Sequence, residues 1–343
     1  MSYYMNQVLP VNFTSNLQLS VIVPCFNEQE VLENLHQRLS KVCQACADES
    51  YQILLVDDGS SDLTWSLIKR LTQCDPHVVG INLSRNYGHQ LALTAGLSLC
   101  QGQRVFVIDA DLQDPPELLE AMMRKMDQGA DVVYGKRIQR HGETWFKKTT
   151  ATLFYRILNR MTEVKIPVDT GDFRLMNRQV VNVLQSMPEQ YRFIRGMVAW
   201  AGFNQVELPY ERAVRKAGVT KYPLKKMINF ALDAITGFSI TPLRISTYLS
   251  IMSMILSFGI VVYVLYSWIF LDAAQGWTSL MAVVLIFNSM QMWLLGIIGE
   301  YLGRTYLQTK NRPLFVVREI ASSTPLMSNQ TPHPVNVESN RGK

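Results

Sequence analysis

The stretch VFVIDADLQDPPELL, Val105 to Leu119, joins an apolar run to an acidic turn and then to a helix start. Its first residues read as a buried strand, beginning at Arg104 and ending at Ile108. Asp109 and Asp111 stand at i and i+2 where that strand ends, and Gln113 and Asp114 follow. Pro115-Pro116 opens a helix, with Asp114 as the expected N-cap and Glu117 in the first turn. Two carboxylates this close at the end of a buried strand are costly unless something neutralises them. A divalent cation does so, and hard oxygen ligands suit Mg²⁺ or Mn²⁺. Such an ion can hold a diphosphate and stabilise the charge that grows on it as it leaves. The alternative is a plain acidic turn, since D-x-D alone is a common pattern.

Working outward from this stretch, the same pattern recurs. Leu19 to Phe26 is a short apolar run closed by Asn27-Glu28, and Gln29 to Cys46 has helical periodicity. Gln52 to Val56 is a second strand, ending in Asp57-Asp58-Gly59-Ser60-Ser61-Asp62. Gly59 permits a tight turn, and Asp62 is placed to cap a helix through Leu71. Val78 to Leu83 is a third strand and ends in Ser84-Arg85-Asn86-Tyr87-Gly88, followed by a helix to about Leu99. Asp131 to Tyr134 is a fifth strand, followed by Gly135-Lys136-Arg137. Strands alternating with helices predict an α/β domain with a mostly parallel sheet and helices on both faces. Ligands of such sheets bind beyond the carboxyl ends of the strands, where these polar clusters fall. The glycine fingerprints of dinucleotide and P-loop sites are absent, which leaves a metal-held nucleotide diphosphate as the better fit.

The chain has 343 residues and a net charge of +5, and nothing in that total calls for nucleic acid. Its five cysteines are scattered, and the odd count does not form a disulfide framework. Cys43 and Cys46 form C-x-x-C inside an expected helix, with no second pair at zinc spacing, and read as reduced helix cysteines. Residues 1–17 lack the pattern of a signal peptide. Residues 322–343, rich in Ser, Thr, Asn and Pro, read as a disordered tail.

VIVPCFNE, VDDGSSD and DADLQDPP, in this order and spacing, resemble family 2 glycosyltransferases of the GT-A fold. The resemblance implies that Pro24, Phe26, Asn27, Glu28 and Asp57 hold the uridine of a UDP-sugar. It implies that Asp109, Asp111 and Gln113 hold the metal and diphosphate. Asp58, Asn86 and Ala110, within the same clusters, are assigned with them to the donor.

Asp172, in Val168-Asp169-Thr170-Gly171-Asp172-Phe173-Arg174-Leu175, follows a glycine and precedes another short strand. It reads either as a turn or N-cap aspartate or as a carboxylate beside the reacting sugar. T-G-D-F-R-L resembles the stretch carrying the candidate base in the polyprenyl-phosphate branch of the family, so Asp172 and Asp111 are the expected catalytic carboxylates. A lipid monophosphate, with a second pKa near ~6, is already anionic at neutral pH, so Asp172 can equally serve to orient the acceptor. Lys136 and Arg137, and the basic loop with Arg212, Arg215, Lys216 and Lys221, are candidates for phosphate contacts. The loop cations also read as a juxtamembrane stretch drawn to anionic lipid.

Ile245 to Leu271 carries no charge and, as a helix, spans about 40 Å, more than the ~30 Å hydrocarbon core. Thr278 to Gly299 is a second uncharged run. Lys221, Lys225, Lys226 and Arg244 precede the first span, and Arg304, Lys310 and Arg312 follow the second. The positive-inside rule puts both termini and the catalytic domain in the cytosol and the short Asp272–Trp277 loop outside. Lys221 to Phe238 reads as an amphipathic helix in the interface plane. Asn288 and Gln291, at i and i+3, read as a helix-to-helix hydrogen-bonding pair or as contacts to a lipid substrate.

This architecture is similar to polyprenyl-phosphate glycosyltransferases, relatives of dolichol-phosphate mannose synthases. GETWFKKTTATLFYRILNRMTEVKIPVDTGDFRLMNR and ERAVRKAGVTKYPLKKM are similar to bactoprenol glucosyltransferases. The expected layout is a flexible tail (1–17), a cytosolic GT-A domain (18–220), interface helices (221–243), a two-span hairpin (244–310) and a flexible tail (311–343). The implied reaction moves glucose from UDP-glucose onto undecaprenyl phosphate with inversion, at the inner membrane, giving a β-linked lipid phosphosugar. Mannose or a modified aminoarabinose as donor sugar, and a catalytically dead membrane scaffold, are the alternatives. A processive polymerase is disfavoured, since Q-x-x-R-W and further spans are absent. The free surface of two thin spans leads us to expect a homo-oligomer.

Overall fold

The computed structural model describes residues 17–138, 170–211, 241–270 and 276–323. Four strands, β1 (Leu19–Cys25), β2 (Tyr51–Asp57), β3 (Val78–Leu83) and β4 (Arg104–Val107), form the parallel centre in the order β4-β1-β2-β3. They alternate with α1 (Leu32–Ala47), α2 (Thr64–Cys74) and α3 (His89–Leu99). After β4 a 3₁₀ turn, Pro116–Leu118, leads into α4 (Leu119–Asp127) and then β5 (Val132–Arg137). Next come β6 (Thr170–Asn177), α5 (Arg178–Ser186), α6 (Ile194–Trp200) and β7 (Gln205–Tyr210).

Among the described residues the sheet has eight strands in the order β7-β5-β6-β4-β1-β2-β3-β8, with β8 at Val317–Ser322. Only β6 and β8 run against the rest. The two-residue period of the buried strands feeds a core on each face. Leu19, Val21, Val23, Ile53, Leu55 and Phe106 pack with α1, α2 and α4. Ile22, Leu54, Val56, Val105 and Val107 pack with α3, α5 and α6. Every strand that runs with the parallel centre therefore delivers its carboxyl end to one edge.

Three features depart from the sequence reading. Asp172 is not in a turn: it lies inside β6, which pairs antiparallel with both β4 and β5. Lys136 and Arg137 do not follow β5 but are its last residues. The tail expected to be flexible from residue 311 folds at Val317–Ser322 into an edge strand on β3. Glu319 on β8 accepts from the Trp65 indole and pairs with Lys69, and the Arg318 guanidinium donates to the Ser84 carbonyl.

The hairpin is built of α7 (Thr241–Phe270) and α8 (Trp277–Thr309), both long and apolar enough to cross a membrane. Many of their large apolar side chains are exposed, Phe258 to 71% and Ile286 to 65%, whereas β1, β2 and β3 are buried throughout. Side chains this apolar and this bare need a non-aqueous surround. Asn288 and Gln291 are both exposed on α8. The far end of α8 is tied to the α5–α6 connection: Gln308 donates to the Pro188 carbonyl at 2.6 Å and accepts from the Gln190 N–H at 2.9 Å. The tail 1–16, the interface helix and the residues 271–275 between the spans lie outside the described residues, as do Arg212, Arg215, Lys216 and Lys221.

Candidate active site

The first wall of the site comes from the ends of β1 and β2. Pro24 is buried in β1 beside Val56, and Phe26, just beyond the strand, is 41% exposed. Asn27 takes φ 55°, a left-handed conformation that asparagine tolerates better than most residues. Its N–H donates to Ser60 Oγ at 3.0 Å, and its Oδ1 accepts from the Ser61 N–H at 2.9 Å. The Glu28 N–H donates to Thr64 Oγ1. The two loops after β1 and β2 are thus stitched together through Asn27. Asp62 accepts from the Thr64 N–H at 3.0 Å, so it does serve the start of α2, although the helix begins one residue later than a strict cap requires.

Asp57 and Asp58 are both buried, and the structure separates their roles. Asp57 accepts from Asn82 Nδ2 at 2.5 Å and from the Ser60 N–H; burial pushes its pKa up, against those hydrogen bonds. Asp58 spends both oxygens inside the protein, on the N–H groups of Tyr87 (2.7 Å) and Gly88 (2.9 Å). It holds the loop after β3. Gly59, at φ +68°, lets that loop approach: a Cβ there would lie 2.5 Å from the Arg85 carbonyl carbon. Asn86 sits exposed on the loop.

Asp109 and Asp111 follow β4. Asp111 Oδ1 accepts from the Gln113 N–H at 3.1 Å, which closes the turn across Leu112 at φ 56°. Ala110 is buried. Asp109 is different: its Oδ1 is buried and, among the described residues, has no hydrogen-bond partner, while the His89 ring nitrogen lies 3.5 Å from it. A buried carboxylate oxygen with no hydrogen bond, beside a second carboxylate, fits a hard divalent cation. Among the described residues no cluster of three or more His, Cys, Asp or Glu side chains forms a complete protein shell for one. Asp114 is no helix cap; it is fully buried, and its Oδ1 accepts from the Tyr210 hydroxyl.

Asp172 has the opposite surroundings to Asp109. It is 2% exposed and accepts from Arg195 Nε (2.9 Å), Gln90 Nε2 (2.8 Å) and His89 Nε2 (3.1 Å), with Arg174 at 3.7 Å. Burial works against its charge, but Arg195, His89 and Arg174 outweigh it and hold the carboxyl well below the usual range. Burial likewise opposes the charge on His89, yet the bond to Asp172 and the nearby carboxylates raise its pKa to about 9. His89, Gln90 and Arg195 were missed in the sequence. The first two open α3 behind a polar strand-end loop, which is a usable signal. Arg195, on α6, carries none.

Strand alternation divides Lys136 from Arg137. The Lys136 ammonium pairs with Glu207 at 2.7 Å on the neighbouring β7. Arg137 donates to Tyr210 Oη at 3.3 Å and lies 3.9 Å from Asp114 Oδ2. The sheet edge therefore gathers Asp109, Asp111, Gln113, Arg137 and Asp172 and adds His89 and Arg195 to them.

Residues 20–184 match the family model described as Glycosyl transferase family 2, and residues 241–305 match the one described as GtrB C-terminal hairpin. The chain is 45% identical over 305 residues to the uncharacterized glycosyltransferase YkcC of Bacillus subtilis, an alignment covering 89% of this chain and 94% of that protein. It is 38% identical over 310 residues to a prophage bactoprenol glucosyl transferase homolog of Escherichia coli, covering 89% and 99%. With the SfII prophage-derived bactoprenol glucosyl transferase of Shigella flexneri the identity is 36% over 316 residues, covering 90% and 100%.

Proposed function

From the premise that this chain belongs to glycosyltransferase family 2, an enzyme with a GT-A catalytic domain followed by two apolar helices, we propose that it moves glucose from UDP-glucose to the phosphate of a polyprenyl lipid, with inversion. The observation that carries this reading is the continuous similarity, through sheet and hairpin alike, to relatives named bactoprenol glucosyl transferases. A lipid acceptor also explains why a sugar-transfer domain is joined to helices that present bare apolar side chains.

In this reading Pro24, Phe26, Asn27, Glu28 and Asp57 line the uridine end, with Asn86 and Ala110 nearby. Asp109 and Asp111, with Gln113, would hold Mg²⁺ or Mn²⁺. That ion, when bound, supplies charge neutralisation for the diphosphate as it departs. One oxygen of the lipid phosphate forms the bond to the anomeric carbon, and the bond from that carbon to the diphosphate breaks, its electron pair leaving on UDP. No proton has to move, because a phosphate monoester with a second pKa near ~6 is already a dianion at neutral pH. Asp172, with its oxygens engaged by cationic and amide donors, acts as a positioning residue for Arg195 and His89 and not as a base. Arg137, together with Arg212, Arg215 and Lys221 beyond the described residues, supplies phosphate contacts. Arg244 in the first turn of α7, Arg304 near the end of α8, and Lys310 and Arg312 just beyond it favour a two-pass protein of the inner membrane with the catalytic domain and both termini in the cytosol.

The test is transfer by the purified full chain from radiolabelled UDP-sugars to a short polyprenyl phosphate, with Mg²⁺ or Mn²⁺ and with EDTA. Label entering the lipid from UDP-glucose, and lost with EDTA, is the expected result. Transfer from a different UDP-sugar alone would overturn the donor. Silence with every donor would overturn the reaction.

A further inference from the structure

Three separate segments converge on the Arg137 guanidinium. Asp114, from the loop after β4, is 0% exposed, so its charge has no access to water. The Tyr210 hydroxyl, at the end of β7, donates to its Oδ1. Arg137, opposite Tyr210 in the β5–β7 ladder, donates from Nε to that same hydroxyl and brings Nη2 to 3.9 Å from Asp114 Oδ2. A buried carboxylate is tolerated when it is paired and hydrogen-bonded, and here the tyrosine bridges it to the cation.

The neighbouring backbone is shaped for the same arrangement. A Cβ at Gly171 would lie 2.9 Å from Arg137 Nη2, so β6 leaves room where the guanidinium rests. A Cβ at Gly135 would lie 2.8 Å from the Tyr210 ring, which packs tilted on Phe173 at 5.4 Å between centroids. A free arginine samples many rotamers, and fixing its planar fork beforehand lowers the cost of each phosphate hydrogen bond. The arrangement also couples two parts of the edge, since Asp114 lies three residues after Asp111.

We propose that Asp114, Tyr210 and Gly171 form a clamp that positions Arg137 to bind a phosphate group at the catalytic edge. The inference rests on the proposed reading only for the identity of the phosphates, which belong to the UDP diphosphate or to the lipid monophosphate. Asp114 and Tyr210 are positioning residues that act through Arg137. Removing Asp114 would take away the ion pair of Arg137 as a whole, so the informative variants are Tyr210→Phe, which deletes only the bridging oxygen, and Gly171→Ala, whose methyl displaces only the tip of a flexible side chain.

The experiment is a double-mutant cycle on binding. Calorimetry of the full chain measures affinity for UDP with Mn²⁺ and, separately, for farnesyl phosphate, in wild type, Tyr210→Phe, Gly171→Ala, Arg137→Ala and the pairwise combinations. The clamp predicts that Tyr210→Phe and Gly171→Ala each weaken one of the two ligands by on the order of tenfold, with the melting temperature kept. It further predicts that neither change weakens binding once Arg137 is alanine, because the coupled effects do not add. The ligand affected identifies the phosphate, and in the transfer assay KM for that substrate rises more than kcat falls. Unchanged affinity for both ligands, or effects that multiply with Arg137→Ala, would overturn the clamp. Failure of wild type to transfer sugar would sink the proposed reaction while leaving this binding cycle to decide the clamp.

Discussion

Asp109, two residues past the end of β4, and Asp172, in the antiparallel β6 beside it, both lie next to His89, yet the chain treats them in opposite ways. The β4–β6 ladder pairs Val107 with Arg174, and two further steps set the two aspartates facing each other. His89 reaches toward both, at 3.5 and 3.1 Å. Asp172 is 2% exposed and surrounded by donors, whereas Asp109 is 27% exposed and keeps a buried oxygen with no hydrogen-bond partner. Two facing carboxylates repel, and arginines have been assembled around only one of them. In the proposed reading the satisfied member orients its neighbours. The unsatisfied member has binding capacity left over, and that capacity lies beside Asp111.

The largest effect should come from removing that capacity. Asp109→Asn or Asp111→Ala is expected to lower sugar transfer by on the order of 10²–10³-fold at saturating Mg²⁺ or Mn²⁺, as loss of a preorganised charge-stabilising group does elsewhere. The fold should survive, because Asp109 Oδ1 has no hydrogen bond to lose and Asp111 gives up only the turn bond from the Gln113 N–H. Transfer measured beside a melting curve separates the two. Near-full activity in either variant would dissolve the distinction between the two aspartates.

Asp172→Asn should cost less, on the order of 10–10²-fold, by loosening Arg195 and His89. The pH profile sharpens the comparison. Asp172 is held well below the usual carboxylate range, so it stays ionised across the pH range in which the enzyme works. Its titration therefore adds no acid limb to kcat/KM. The acid limb should follow the acceptor phosphate, near pH ~6, and stay in place in Asp172→Asn. An acid limb that disappears in the variant would make Asp172 the proton acceptor after all.

Much of this contrast was legible in the sequence, and its limits have physical causes. Apolar runs closed by polar clusters located β1 to β5 and the catalytic edge, because strands buried on both faces read as continuous hydrophobic segments. Asp109 and Asp111 were visible because i, i+2 carboxylates at a strand end are a local pattern. Period-two alternation alone would have separated Lys136 from Arg137, had β5 been extended to include them. β8 stayed hidden: VREIAS is half polar, as befits an edge strand that must not recruit another chain, and its partner β3 is more than two hundred residues earlier. Arg195 was hidden for a related reason. Nothing near it in sequence marks it, and only the packing of α6 against the sheet brings it to Asp172.

The smallest effect calibrates the rest. Asp75, far from the catalytic edge, is another saturated carboxylate: it accepts from the His77 N–H at 2.9 Å, from the His77 ring at 3.0 Å and from His36 at 2.8 Å. Burial opposes its charge, but these partners outweigh burial and lower its pKa. A carboxyl whose pKa falls on folding gives its full stabilisation above the unfolded value of about 3.9 and loses it as the pH drops through the folded value. Asp75→Asn should therefore cost about 1–2 kcal/mol at neutral pH and leave transfer unchanged. Below about pH 4 the gap between variant and wild type should close, as denaturant unfolding at several pH values would record. If Asp75→Asn instead lowered transfer as much as Asp172→Asn, the loss at Asp172 would reflect the general cost of breaking a saturated carboxylate. If only stability moves, the loss at Asp172 belongs to Arg195 and His89 at the reacting edge.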